Sequence, residues 1–441
     1  MNLPWGYLIG LLILALPAFR LPRMPTGPGT SFFFASIAVL ELPFLASAGF
    51  SASTALAIAE GDLDSPLTIA AAVLAGACLT LTMWRSLRAR PILMRAMGGL
   101  RIPHRLPWTR ILLLPFGIRP RSVQRIANLS YGPHGKRNLL DLYRHRTAPA
   151  GAPVLIHFHG GYYTTGYKNS QALPLLHRLA GQGWVCISAN YRLRPDAGFQ
   201  DHLHDAKRVI AWVRTHGREY GIDPGRIVLS GSSAGAHLSA LAALTPGHPR
   251  FQQGFETIDT SVAAVVGLGG FYGSYFGGDP DSDPMAHSHA DAPPFLIVHG
   301  SHDTVVPAAG ARRFAERLRG VSAQPVVYAE LPGAQHGFDL FHSPRFEAVV
   351  NAVEAFATRA VASTARRSCP GRRGVGARTC AETGEGPSPP GRSLCSTAGD
   401  QAPVKASLFA TSHSRKVLSR GFRSRTAARS RRPVNSSSNS A

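Results

Sequence analysis

Three long apolar stretches open the chain, at residues 3–19, 31–59 and 67–84. Charge gathers between them: Arg20 and Arg23 after the first, Glu60, Asp62 and Asp64 after the second, and ten Arg from Arg85 to Arg125 after the third. A helix needs about 20 apolar residues, with a range near 17–25, to cross a bilayer. The first and third stretches lie close to the lower limit. The second is longer and carries Glu41, Pro43 and Gly49. An acidic side chain deep in lipid costs about 2–3 kcal/mol or more, so the span is expected to run from Leu42 and leave Glu41 near the headgroups. The first stretch has no basic residue before it and no small-x-small cleavage site, so it reads as a span and not as a cleaved signal peptide. Positively charged flanks stay cytoplasmic. All three loops then agree on an N-terminus outside and everything after Trp84 in the cytoplasm. The apolar segment 111–118, between Arg110 and Arg119, is too short to span and is expected to lie in the interface.

From about residue 126 the pattern changes. Short apolar runs at 138–143, 154–158, 184–189, 227–230, 262–268 and 295–299 alternate with amphipathic patterns at 173–180, 203–215, 234–243, 309–318 and 346–360. Near-continuous apolar strands alternating with helices predict an α/β fold with a mostly parallel sheet covered on both faces. The resulting division is 1–84, a region of about three transmembrane helices; 85–121, a basic juxtamembrane linker; 122–361, the α/β domain; and 362–441, a tail. The tail is rich in Arg, Ser, Gly and Pro without an apolar period, and is expected to be disordered.

Charge and composition narrow the partners. The 47 Lys and Arg against 25 Asp and Glu give +22, and the tail alone holds 15 against 3, or +12. Much of the excess therefore lies outside the expected folded core. Membrane lipid accounts for the juxtamembrane Arg run, and nucleic acid is not expected as a partner. Five Cys in 441 residues exclude a disulfide scaffold, and there is no CxxC or HExxH. The pairs His157/His159, His202/His204 and His287/His289 have the spacing of strand-borne ligands, but no third ligand is evident and no metal is expected.

The chemistry-bearing motifs fall at the carboxyl ends of the expected strands, where ligands bind in such sheets. Gly231-Ser232-Ser233-Ala234-Gly235 joins a strand to a helix, the context of a nucleophile elbow. His159-Gly160-Gly161-Tyr162-Tyr163 ends another strand. Backbone N–H groups of Gly160 and Gly161, with that of Ala234, are the candidate oxyanion hole, because negative charge develops on the carbonyl oxygen of a tetrahedral intermediate. Asp303 and His336 follow two later strands. In the order Ser233, Asp303, His336 they make a candidate triad: His336 as base for Ser233, Asp303 fixing the imidazole. Tyr162, Tyr163 and Ser232 are candidate substrate-pocket residues.

Residues from about 120 to 361 resemble the hormone-sensitive-lipase-like branch of the α/β-hydrolase superfamily. The resemblance rests on His159-Gly160-Gly161, Asn190-Tyr191-Arg192-Leu193, the elbow at Ser233, Gly300 to Asp303 and His336-Gly337-Phe338. With its three-span N-terminus the chain resembles membrane-anchored actinobacterial esterases. The resemblance implies hydrolysis of a small-molecule or lipid carboxylic ester through an acyl-enzyme, with no cofactor. Ser232 and Asn190 stand where the branch commonly has Asp, which bears on substrate preference. The segment 274–291 is short and without a clear helix, leaving the acyl pocket open or incompletely built. Two other readings stand beside this one. Gly235-Ala236-His237-Leu238 with the His-Gly-Gly-Tyr motif also resembles arylformamidase-like amide hydrolases. The short segment also fits a catalytically degenerate hydrolase domain in a membrane or nucleic-acid-binding protein.

Overall fold

The computed structural model describes residues 4–20 and 28–367. Most of the tail expected to be disordered, residues 362–441, lies outside the described residues.

The apolar N-terminus forms α1 (Trp5–Ala15), α2 (Pro28–Glu41), α3 (Pro43–Ala59) and α4 (Pro66–Leu87). Ser65 caps α4 by accepting the Thr68 N–H at 3.1 Å, and Pro66 fits the first turn, where an N–H would be orphaned. The expected second span is not one straight helix. It breaks at Leu42-Pro43, and α2 and α3 meet at 100°. Proline cannot donate the helical hydrogen bond and its ring excludes the preceding turn. Among the described residues one helix, Pro66–Ala96, is long and apolar enough to cross a membrane, or two if the bent pair counts as one. These helices turn Ile9, Leu12, Leu56, Ile69, Val73 and Leu74 outward, each about half exposed or more.

Glu41 is not at a headgroup level facing water or lipid. It is 1% exposed, bonds the Arg345 guanidinium, and accepts the Ser343 hydroxyl at 2.7 Å. The acid that looked misplaced in an apolar stretch is the point where the N-terminal helices lock onto the α/β domain.

Helix α5 (Ala89–Ala96) follows α4, and α6 (Trp108–Leu113) precedes the sheet. The expected linker is therefore partly core: Ala89 and Leu93 are fully buried and Met97 nearly so, packed with the second sheet face.

The sheet comprises β1 (Val123–Ser130), β2 (Leu139–His145), β3 (Ala152–Phe158), β4 (Val185–Ala189), β5 (Ile222–Ser232), β6 (Ala264–Leu268), β7 (Phe295–Gly300) and β8 (Val326–Leu331). Its order is β1-β2-β4-β3-β5-β6-β7-β8. Only β2 runs antiparallel to both neighbours; β4 through β8 are parallel. Helices α7 (Leu173–Gly181) and α11 (Pro344–Arg367) join α5 on one face, and α8 (Phe199–His216), α9 (Ala234–Leu244) and α10 (Ala308–Val321) cover the other. Alternate strand residues serve the two cores: Phe295 and Ile297 one, Leu296 and Val298 the other. Burial on both faces is why the strands read as unbroken apolar runs. β1 starts a few residues earlier than expected, and α11 continues to Arg367, beyond the expected end of the domain at 361.

Two stability outcomes follow. Removing one partner of a buried ion pair strands the other, at a cost of about 3–5 kcal/mol. Glu41→Ala is expected to lower the detergent-phase unfolding midpoint sharply, and Glu41→Leu combined with Arg345→Met to recover most of it; equal midpoints for Glu41→Ala and wild type would contradict the pair's role. Burial pushes the imidazole of His157 down to about 3, and those of His159, His202 and His237 down to about 4. Unfolded, they protonate near pH 6.5, so below that pH the unfolded chain binds protons that the folded chain refuses. Their contribution is whole above about pH 6.5 and lost as pH falls towards 4. The denaturation midpoint should therefore drop from pH 7 to pH 5; a flat profile would refute it.

Candidate active site

β5 passes into α9 through Ser233, whose backbone sits at φ 54°, ψ −117°. A non-glycine residue held there stores about 1–3 kcal/mol of strain. The strain persists because strand and helix meet with nothing between them. A Cβ on Gly231 would overlap the Gly235 carbonyl, and a Cβ on Gly235 the Phe158 carbonyl. The Ser233 N–H donates to Leu268 O at 2.9 Å, tying the turn to the end of β6. Only 6% exposed, Ser233 lines a cavity.

Asp303 lies just past β7 and is 1% exposed. Its Oδ1 accepts the Val305 and Val306 N–H groups at 2.9 and 2.7 Å, and its Oδ2 accepts His336 Nδ1 at 2.7 Å. Burial alone would raise this carboxyl. Electrostatic interaction with His336 and hydrogen bonds from His299 and His336 outweigh it, holding Asp303 well below the usual carboxylate range. His336 follows β8, and its ring lies 3.6 Å from where a Gly269 Cβ would stand, one residue beyond the Leu268 carbonyl that holds Ser233. The structure thus joins Asp303 to His336 directly and brings Ser233 to the same side of Gly269. A Ser233–His336 hydrogen bond is not among the side-chain bonds of the described residues.

The oxyanion expectation needs one correction. The Gly160 N–H donates to Gln171 Oε1 at 2.5 Å and is not available to a substrate. Of the three expected donors, Gly161 and Ala234 remain. Ser232 is corrected as well: it does not line the cavity. It is 2% exposed beneath the elbow, where its hydroxyl bonds Asp339 Oδ2 and lies 3.5 Å from His157 Nε2. His157 in turn lies 3.2 Å from Ser230 Oγ. Burial lifts the Asp339 carboxyl above its ordinary value, opposed by the Ser232 hydrogen bond and the nearby His336.

The cavity measures about 350 Å³. Tyr162 and Tyr163 line it together with Phe271, Tyr275 and Phe276. The short segment therefore does build a wall, through 3₁₀ turns at Tyr275–Gly277 and Pro280–Ser282. His237 on α9 holds this wall: its Nε2 lies 3.0 Å from Gly273 O and 2.8 Å from Ser282 O, while its Nδ1 lies 2.6 Å from Tyr163 Oη. The His-x-His pairs point to separate partners: His159 Nδ1 to Gly160 O, His202 to Tyr275, His204 to Gln253, His287 to Asp281. Among the described residues no group of three or more His, Cys, Asp or Glu is placed to hold a metal.

Sequence reasoning missed Gln171, His237, Asp339 and the aromatic wall. Asp339 carried a signal, standing three residues past His336 in one loop. Gln171 carried none.

Residues 140–273 match the BD-FAE family model. The chain is 43% identical over 283 residues to "Probable carboxylic ester hydrolase LipM" of Mycobacterium tuberculosis, covering 57% of this chain and 65% of that protein. It is 38% identical over 289 residues to "Esterase LipQ" of the same organism, covering 59% and 66%. The matched region is thus just under two thirds of each relative's length. Among solved structures, a truncated carbohydrate esterase from gut microbiota aligns at 22% identity and a TM-score of 0.49, over 54% of this chain and 96% of its own. By its sheet order and its elbow the chain has the α/β-hydrolase fold, and over about three fifths of its length it is similar to the mycobacterial esterases.

Proposed function

We propose that the chain is a serine carboxylic-ester hydrolase working through Ser233, His336 and Asp303. The observation that carries this reading is the His336–Asp303 pair at 2.7 Å, its carboxylate also held by the N–H groups of Val305 and Val306, which line the same cavity as Ser233. His336 Nε2 takes the Ser233 proton as Oγ attacks the ester carbonyl carbon. The new oxyanion is received by the N–H groups of Gly161 and Ala234. Asp303, held ionised, keeps Nδ1 protonated and stabilises the imidazolium. Collapse of the intermediate expels the alcohol, which takes the proton from His336 and leaves an acyl-Ser233. Water then attacks, giving its proton to His336, and the acid departs as Ser233 Oγ recovers that proton.

An ester is favoured over a formamide because the relatives with the longest matches bear ester-hydrolase names. The aromatic cavity suits an apolar acyl chain. The domain is assigned to residues 122–367, with membrane lipid near its substrate. The N-terminal helices are proposed to hold the chain in a membrane, with α4 crossing it and the catalytic domain in the cytoplasm. Arg20, Arg85 and Arg88 flank one end of this bundle, and Glu60, Asp62 and Asp64 flank the other.

A fluorophosphonate probe is expected to label the wild type and not Ser233→Ala; labelling that survives the substitution would place the nucleophile elsewhere. Asp303→Asn should remain folded and lose about 10⁴-fold in turnover of p-nitrophenyl esters. A reporter fused after residue 125 reads the topology. Cytoplasmic-reporter activity is expected there, and alkaline phosphatase activity would reverse the orientation.

A further inference from the structure

Outside the catalytic cavity, the segment from Pro107 to Pro120 is the most unusual surface of the α/β domain. Trp108, Leu113, Leu114, Phe116 and Ile118 are 45%, 76%, 51%, 57% and 51% exposed. So many large apolar side chains on one short segment mark an interaction site, not ordinary surface. The segment is nevertheless anchored. Ile111 and Pro115 are buried, Pro115 O accepts the His342 N–H at 2.7 Å, and Phe116 meets Phe341 edge-on at 5.9 Å. A fixed backbone is presenting these side chains outward.

Its position relative to the apolar helices is given by ring contacts. The Phe50 ring of α3 lies 3.5 Å from where a Gly76 Cβ of α4 would stand. The two helices are joined by residues 60–65 alone and run antiparallel, so stepping back along α3 and forward along α4 sets Phe44 level with the end of α4. Phe44 meets Trp108 edge-on at 5.9 Å. At that same end Arg88 lies 5.2 Å from the Trp84 ring. Trp and Arg at one level are the side chains that favour a headgroup region. The exposed segment is therefore continuous with the end of the apolar bundle.

Charge completes the picture. No Asp or Glu occurs between Asp64 and Asp141. Beside the segment lies a cleft of about 160 Å³ lined by Pro107, Arg110, Pro174, His177, Arg178 and His342. Glu347 partners Arg178 at 2.9 Å and His342 at 2.5 Å, while among the described residues Arg110 meets only Ile118 O and His342. His177 is 4% exposed and its Nδ1 has no partner within the structure. Burial first, then electrostatic interaction with Arg110, His342, Arg119 and Arg125, pushes His177 down to about 3, in keeping with the three guanidinium groups around the cleft. Arg119 and Arg121 are exposed beside it.

We propose that residues 107–120 form a docking surface for an anionic bilayer leaflet, with Trp108, Leu113 and Phe116 immersed at acyl-chain depth and a phospholipid phosphate received in the cleft at Arg110. Apolar immersion and attraction of Lys or Arg to anionic lipid act together in such interfaces. This rests on the reading that α4 crosses the bilayer, and the two fail separately: resistance to alkaline carbonate extraction reports the span alone.

The test uses the full chain in nanodiscs, with Cys369, Cys380 and Cys395 replaced by Ser and an environment-sensitive fluorophore on Leu113→Cys. In phosphatidylglycerol discs the label is expected to shift blue and to be quenched by lipids brominated on the acyl chain. A label on Glu316→Cys, exposed on α10 at the other face of the sheet, serves as the water-exposed control. Arg110→Gln should weaken the dependence of the shift on phosphatidylglycerol content several-fold without altering carbonate resistance. Inorganic phosphate at matched ionic strength should leave the shift unchanged. A Leu113→Cys label as water-exposed as the control would overturn the docking surface. Reversal of the shift by inorganic phosphate, or an unchanged lipid dependence in Arg110→Gln, would overturn the assignment of the cleft to lipid.

Discussion

The structure turns on the close approach of β5 and α9 at Ser233. Strand and helix carbonyls come near enough that a methyl group at position 231 or 235 would overlap backbone, so both positions are glycine. That closeness holds Ser233 in a backbone conformation which an isolated chain avoids, at a cost of about 1–3 kcal/mol. The surroundings supply compensation from several directions. Leu268 O accepts the Ser233 N–H, Tyr163 Oη lies 3.0 Å from Ala234 O, and the Ser239 hydroxyl donates to Ser230 O at 3.0 Å. Because β3, β5 and β6 lie side by side, the Gly161 loop, the elbow and Gly269 meet at one edge of the sheet. The direction of the Ser233 side chain is thus a consequence of sheet order and of two absent Cβ atoms.

A second constraint joins the N-terminal helices to this site. Arg345 is wholly buried at the start of α11 and would be stranded without Glu41. α2, which ends at Glu41, runs beside the loops that carry Asp303 and His336: Phe32, Phe33 and Leu40 share a small cleft with His302, Thr304 and Gln335. Gln335 accepts the N–H groups of Thr304 and His336 at 2.8 and 2.9 Å, so this cleft is one side chain away from the His336–Asp303 pair. Any displacement of α2 would be felt first at Gln335.

What the sequence made legible was local. The strands β2 to β8 and helices α7 to α11 show in apolar periodicity because the sheet is buried on both faces, and the elbow shows because its glycines are sterically compelled. What stayed hidden depends on distant partners. Glu41 looked like an awkward acid in lipid because Arg345 is 304 positions away. Ser232 looked like a pocket residue because nothing local announces Asp339 beneath it. Gly160 looked like an oxyanion donor until Gln171, eleven residues on, took its N–H. β1 was poorly read for another reason. It is an edge strand with a half-exposed pattern, interrupted by a register shift between Ile126 and Leu129 that places Asn128 at φ 60°.

The Arg run from 85 to 125 shows how one feature meets two demands. Read as sequence it is a topogenic signal, yet several of its members are structural. Arg85 donates to Ala18 O at 2.5 Å, closing the end of the first apolar helix. Arg125 and Lys168 flank the buried carboxylate of Asp141 on β2. Arg110 reaches Ile118 O and shapes the exposed apolar segment. None of these bonds costs the side chain its positive charge, since a guanidinium remains protonated in proteins. The Arg that cap helices and fix loops therefore still count in the charge asymmetry across the bundle, while Arg88, Arg95, Arg101, Arg119 and Arg121 remain exposed beside them. A run of Lys would hold these carbonyls and carboxylates less well, because only the planar fork of Arg donates in two fixed directions from one side chain. The preference for Arg over Lys here follows from the packing, and the charge that the packing leaves intact is what the proposed orientation rests on.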